Sequence, residues 1–124
     1  PEVKQLKGDM TKFYQTLFSS SLCVLDHLGT TLLICLSANV PFICFWRPKC
    51  CDLNEYSQVL VDEMKKENLY FESSEAAASY ISQINCDLTE WWQSKQEIRV
   101  KLLEIHASSE GWFKAWLKYL WNYK

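Results

Sequence analysis

The sequence predicts an α/β domain built on a short parallel sheet of about three strands, with a helical C-terminal third. Three observations carry this. The apolar runs "SLCVLD", "VPFICFW" and "NLYFES" alternate with stretches of helical periodicity. Strands this continuously apolar belong to sheets that helices cover on both faces, the habit of βαβ units. From Asp87 onward no strand signal remains, and apolar residues recur at helical spacing to the end of the chain.

Element by element, "GDMTKFYQTLFSS" offers Asp9 as an N-cap and Met10, Phe13, Leu17 and Phe18 at helical intervals, which predicts a helix over 8–20. It leads into the first strand, which ends at Asp26. Residues 28–46 then run nineteen positions without a charge, the lower end of what a membrane-spanning helix needs. Pro41 and Asn39 interrupt that run. Pro41 removes a backbone donor and opposes helix in the residue before it, and Asn39 is a natural helix stop. The run therefore reads as a turn, a helix "TTLLICLSAN" and a second strand "VPFICFW".

A connector with Pro48 follows, then a helix capped by Asp52 or Asn54 whose stripe is Tyr56, Val59, Leu60 and Met64, and which Lys65 and Lys66 close in accord with the helix dipole. Leu69 to Phe71 forms the third strand. "ENLYFES" resembles a protease-tag site, but its place between a helix and a helix cap marks it as a native strand. Ser73 or Ser74 caps the next helix. Asp87 with Glu90 three residues on forms a capping box for one long helix carrying Trp91, Ile98, Leu102 and Ile105, with His106 near its polar end. Gly111 marks a break before an aromatic helix with Trp112, Trp116 and Trp121 on one side and Lys114 and Lys118 on the other.

Length and composition narrow the function. At 124 residues and a net charge of −2, the chain is one domain without a basic field for nucleic acid. Of its six cysteines, Cys23, Cys35 and Cys44 fall inside buried elements, where a thiol acts as a small hydrophobe in a reducing compartment. Cys50 and Cys51 are adjacent, too close for ordinary zinc-ligand spacing. The chain opens without an initiator Met and carries eighteen aromatic residues, as if cut from a longer protein and lacking a partner surface.

In a parallel sheet, ligands bind at the carboxyl ends of the strands, beside helix N-termini. The turn "DHLGTT" stands there. Gly29 lets a ligand approach the backbone, the Thr30 and Thr31 hydroxyls can donate to anionic oxygens, and the helix start favours phosphate. Asp26 and His27 flank it, His27 as a general base or phosphate donor. Arg47 and Lys49, after the second strand, reach the same edge and could neutralise a diphosphate. Against this stands the plainer possibility of a well-capped βα loop and a solvated connector. No P-loop, GxSxG or GxGxxG is present.

Taken in order and spacing, "VLDHLGTTLLICLSANVPFICFW", "ENLYFESSEAAASYISQI" and "DLTEWW", closing on an aromatic helix, resemble the C-terminal region of a bacterial family of surface-carbohydrate transferases of the GT-B glycosyltransferase type. More distantly they are similar to CDP-glycerol glycerophosphotransferases. The resemblance implies a Rossmann-like three-layer partial domain that binds a nucleotide-diphosphate sugar as donor substrate, without a further cofactor, in the cytoplasm at the inner face of the membrane. It implies a nucleotide-binding part over 1–86, helices over 87–124 that pack on it or on an N-terminal domain, and a catalytic base in that other domain. Asp26, Thr30 and Thr31 match the donor-phosphate turn. Ile34 and Cys35 depart from the pattern, which calls for a Glu to hold the donor ribose. The rival expectation is a non-catalytic module that docks a partner protein or a membrane surface through its aromatic helix.

Overall fold

A computed structural model describes residues 9–50, 53–84 and 87–107. Their order is α1 (Met10–Ser19), β1 (Cys23–Leu25), α2 (Thr30–Ala38), β2 (Phe42–Phe45), a 3₁₀ turn (Pro48–Cys50), α3 (Glu55–Lys66), β3 (Tyr70–Phe71), α4 (Ser74–Ile84), α5 (Leu88–Gln93) and α6 (Gln96–Ala107). The three strands lie in the order β1-β2-β3, all parallel. This is the α/β fold with a short parallel sheet that the apolar strands predict.

The uncharged run resolves into two elements joined at Asn39. That residue takes the left-handed conformation, φ 57, and ends α2, and β2 begins three residues later. No helix among the described residues is long and apolar enough to cross a membrane.

Strand register sorts the side chains into two faces. Cys23 stands opposite Phe42, Leu25 opposite Cys44, and Cys44 opposite Tyr70, so these residues share one face. On it α2 packs Leu32, Cys35 and Leu36, α3 packs Leu60, Val61 and Met64, and α6 packs Ile98 and Leu102, in one apolar cluster. Ile43, Phe45 and Phe71 point the other way, toward α4, where the Phe71 and Tyr80 rings lie 5.2 Å apart. The sheet is thus sandwiched over β2 and β3. Val24, on that second face of β1, stays half exposed at 50%.

Within α3 the expected stripe is rotated. Leu60 and Met64 are buried as read, but Val59 is exposed and Val61 takes its place inside. One residue is about 100° of helix, and the phase set by Leu60 and Met64 leaves room for an inward neighbour on only one side.

The predicted long helix from Asp87 is two helices. Trp92 packs edge-on against Phe42, with centroids 5.5 Å apart, while Ile98 and Leu102 enter the core beside α2 and α3. On one straight helix Trp92 and Ile98 would stand about 120° apart. A turn at Ser94 and Lys95 brings both inward, closed by the Lys95 N–H donating to Trp92 O at 3.0 Å. Only half of the predicted capping box forms: the Asp87 carboxylate accepts from the Glu90 N–H at 2.9 Å, while the Asp87 N–H donates to Ile84 O. Gly111, the aromatic helix after it and the side chain of His106 lie outside the described residues.

α3 and α6 are joined at the surface by charge. The Glu63 carboxylate accepts from Lys101 Nζ at 2.6 Å and from Lys66 Nζ at 2.7 Å. These hydrogen bonds, Lys101 first, pull its pKa from 4.5 to about 2. A depressed native pKa stabilises the fold above the unfolded value and loses that effect as pH falls through the native one. Glu63→Gln is therefore expected to melt below the wild type at neutral pH, with the gap closing between pH 4.5 and about 2. A gap in melting temperature that stays constant over that range would contradict the pairing.

Candidate functional site at the carboxyl edge of the sheet

Because the strands are parallel, the segments after Leu25, Phe45 and Phe71 leave the sheet along a single edge. The first of these is the turn 26–29. His27 has a partner there: its Nδ1 lies 2.6 Å from Asp26 Oδ1, with both side chains exposed. That hydrogen bond holds the Asp26 carboxyl below its ordinary range. The adjacent "DH" is the sequence signal for this pair.

The imidazole reaches over Gly29. A Cβ on Gly29 would stand 2.8 Å from both Cδ2 and Nε2 of His27, closer than carbon atoms tolerate. The absence of a side chain at Gly29 lets the ring lie against the backbone where α2 begins. Thr30 is exposed and Thr31 half-buried on the first turn, and the Leu32 N–H turns back to Gly29 O at 3.1 Å.

The start of α2 differs from others in the chain. α1, α3, α4 and α5 begin under the side chains of Asp9, Asn54, Ser73 and Asp87, each accepting from a backbone N–H of the first turn. At Gly29 no side-chain hydrogen bond caps the helix. The leading N–H groups of α2 thus remain available at the ligand edge, at the positive end of the helix dipole.

Arg47 is exposed just beyond β2, but the described residues show no hydrogen bond or ion pair from it to the 26–31 turn. Its charge is felt instead at Glu75 in the first turn of α4. That carboxyl sits below its usual range, chiefly through its own backbone N–H and the Ser74 hydroxyl, with Arg47 a lesser cause. The structure therefore brings Asp26, His27, Gly29, Thr30 and Thr31 together, with no hydrogen bond or ion pair among the described residues joining Arg47 to them.

The apolar departure in α2 is built into the core. Cys35 is fully buried and Ile34 packs against the same cluster. A carboxylate at position 35 would face the sheet interior, and none would be tolerated there unpaired. Cys23 and Cys44 are likewise buried free thiols, and burial pushes the Cys44 thiol pKa up, so it stays protonated as an inert packing group. Among the described residues no group of three or more His, Cys, Asp or Glu is arranged to hold a metal ion.

These features define a class: a parallel α/β domain whose first βα turn presents an uncapped helix start at the carboxyl edge of its sheet. Comparison makes the assignment particular. Residues 1–120 match the sequence profile of the LIC12162 family transferases, and the chain belongs to that family. No curated protein and no solved structure matches it.

Proposed function

We propose that this chain is the donor-binding part of a GT-B-like glycosyltransferase in bacterial surface polysaccharide assembly, working in the cytoplasm at the inner face of the membrane. Membership of a transferase family supports a group-transfer role. The observation that carries the finer reading is the uncapped start of α2 at Gly29, lying where parallel sheets receive ligands. The backbone N–H groups and the Thr30 and Thr31 hydroxyls would take the diphosphate of a nucleotide sugar. Charge building on the leaving nucleoside diphosphate would meet those donors in place, without reorganisation. His27, steered by Asp26, would add a donor to a phosphate oxygen. Arg47, exposed just beyond β2, would offer longer-range positive charge. An N-terminal domain would bring the acceptor and the catalytic base.

One observation favours the rival reading, a module that docks a partner without turnover: the position that would hold a ribose is filled by core-packed Ile34 and Cys35. Ligand-observed NMR with UDP, CDP, GDP and CMP separates the two. The donor reading expects one nucleotide diphosphate to bind and Thr30→Val with Thr31→Val to weaken it about a hundredfold or more, the effect of losing two hydrogen bonds to a charged group. Silence from all four nucleotides on a folded protein would favour the docking module.

A further inference from the structure

Three free cysteines meet where α2 lies on the sheet. The register that sets Cys23 opposite Phe42 and Leu25 opposite Cys44 puts both strand thiols on the face that α2 covers. Cys35, in the middle of α2, is packed into the same apolar cluster. The three are not equivalent. The Cys23 and Cys35 thiols are hydrogen-bonded to each other, strand to helix, whereas the Cys44 thiol is held protonated by burial alone. Cys35 and Cys44 are fully buried. Cys23 keeps 9% of its surface, at the amino end of β1, two residues after exposed Ser21.

A thiol reacts as its thiolate. The hydrogen bond with Cys35 lowers the Cys23 pKa, and the same contact raises that of Cys35. The charge thus falls on the thiol nearer solvent, and a second, protonated thiol stands against it, as an attacking and a resolving cysteine do. The matching oxidant is hydrogen peroxide, which is small enough to reach a partly covered sulfur. The Cys23 thiolate attacks one peroxide oxygen, the O–O bond breaks, the leaving hydroxide takes a proton to become water, and Cys23 becomes a sulfenic acid. The Cys35 sulfur then attacks the Cys23 sulfur, the S–O bond breaks, and hydroxide leaves with the Cys35 proton as a second water. Two thiols have given two electrons to one peroxide, and an S–S bond joins β1 to α2.

We infer that Cys23 and Cys35 form a peroxide-sensitive dithiol site, with Cys23 attacking, Cys35 resolving and Cys44 uninvolved. The site is independent of the donor reading, although the ring it closes, residues 23–35, encloses the turn at Gly29. In the test, the folded full chain is treated with hydrogen peroxide and its remaining thiols are blocked with N-ethylmaleimide under denaturing conditions. Cleavage on the amino side of aspartates then leaves Cys23 on the peptide 9–25 and Cys35 on the next one, and fragment masses distinguish Cys35 from Cys44. The expected result is a link between Cys23 and Cys35, lighter by two hydrogens, about 2 Da, and reversed by dithiothreitol. In Cys35→Ala, Cys23 should stop at the sulfenic acid and be captured by dimedone, while Cys44→Ala should keep the link. Circular dichroism checks that each variant is folded, and the wild-type map stands without them. Survival of both thiols in the folded wild type, a link from Cys23 to Cys44, Cys23 sulfinic acid beside a free Cys35, or loss of the link in folded Cys44→Ala would each overturn the assignment.

Discussion

Phe42→Ala is expected to destabilise the domain by about 3–5 kcal/mol, as truncation of a buried aromatic does. Phe42 is fully buried, stands opposite Cys23 in the sheet and receives the edge of the Trp92 ring. Its loss opens a cavity where the sheet, α2 and α5 meet, and α5 is a helix of 6 residues that cannot close the gap by propensity alone. Against a total stability of about 5–15 kcal/mol for a domain of ordinary size, this is a fifth or more of what holds the fold. Urea unfolding checks it: the midpoint should fall steeply while the slope is retained. Val24→Ala is the control, since Val24 is half exposed on the sheet's other face, and it should cost about 0.5 kcal/mol or less. Comparable losses at the two positions would mean that the faces of the sheet are assigned wrongly.

The contrast between these two strand residues shows what could be read in advance. Strands, turns and helix starts were legible because they depend on local chemistry. Asp9, Asn54, Ser73 and Asp87 each cap their helix through a short side chain a few residues away. Phase and breaks were less legible, since tertiary packing decides them. Nothing local distinguishes Val59 from Val61 in α3; only the position of the sheet does. Nor does "EWWQSKQEI" contain a Gly or Pro to announce that the chain rewinds at Ser94. The break exists because Trp92 and Ile98 must reach the same core from different sides of a helix.

The candidate site divides in the same way. Asp26 through Thr31 could be located from the strand before them and the helix after them, a local pattern. The reach of His27 over Gly29 was invisible, since it depends on the path of the turn. Arg47 was read onto this edge from its place after β2, but its lack of a hydrogen bond or ion pair to the 26–31 turn among the described residues depends on the path of the chain beyond the strand. Trp46 read simply as the last aromatic of a strand. The packing of its ring on Tyr70 and the lack of a hydrogen-bond partner for its N–H among the described residues are decided by the tertiary fold.

The second large effect is expected at Asn39, where two unrelated demands meet in one residue. Its backbone occupies the left-handed region at φ 57 and ψ 36, which costs a residue such as alanine about 1 kcal/mol or more. Its side-chain Oδ1 accepts from the buried Trp92 Nε1 at 2.9 Å, tying α5 to the end of α2. The backbone carbonyl of Asn39 also faces that N–H, but at 3.3 Å, a longer and weaker contact. Asn39→Gly relieves any backbone strain and removes the side-chain acceptor, so it should cost about 1 kcal/mol. Asn39→Ala meets both penalties and should cost about 2–3 kcal/mol. Trp92→Phe keeps an aromatic ring against Phe42 but removes the donor, and in that background Asn39→Gly should become nearly neutral. Urea midpoints of the three single variants and the double variant measure each penalty separately. Equal losses for Asn39→Gly and Asn39→Ala would show that the left-handed stop carries no strain, and full additivity with Trp92→Phe would show that the hydrogen bond does not anchor α5. If both penalties appear as expected, the C-terminal end of α2 is fixed by α5 while its uncapped N-terminal end is left open at the ligand edge.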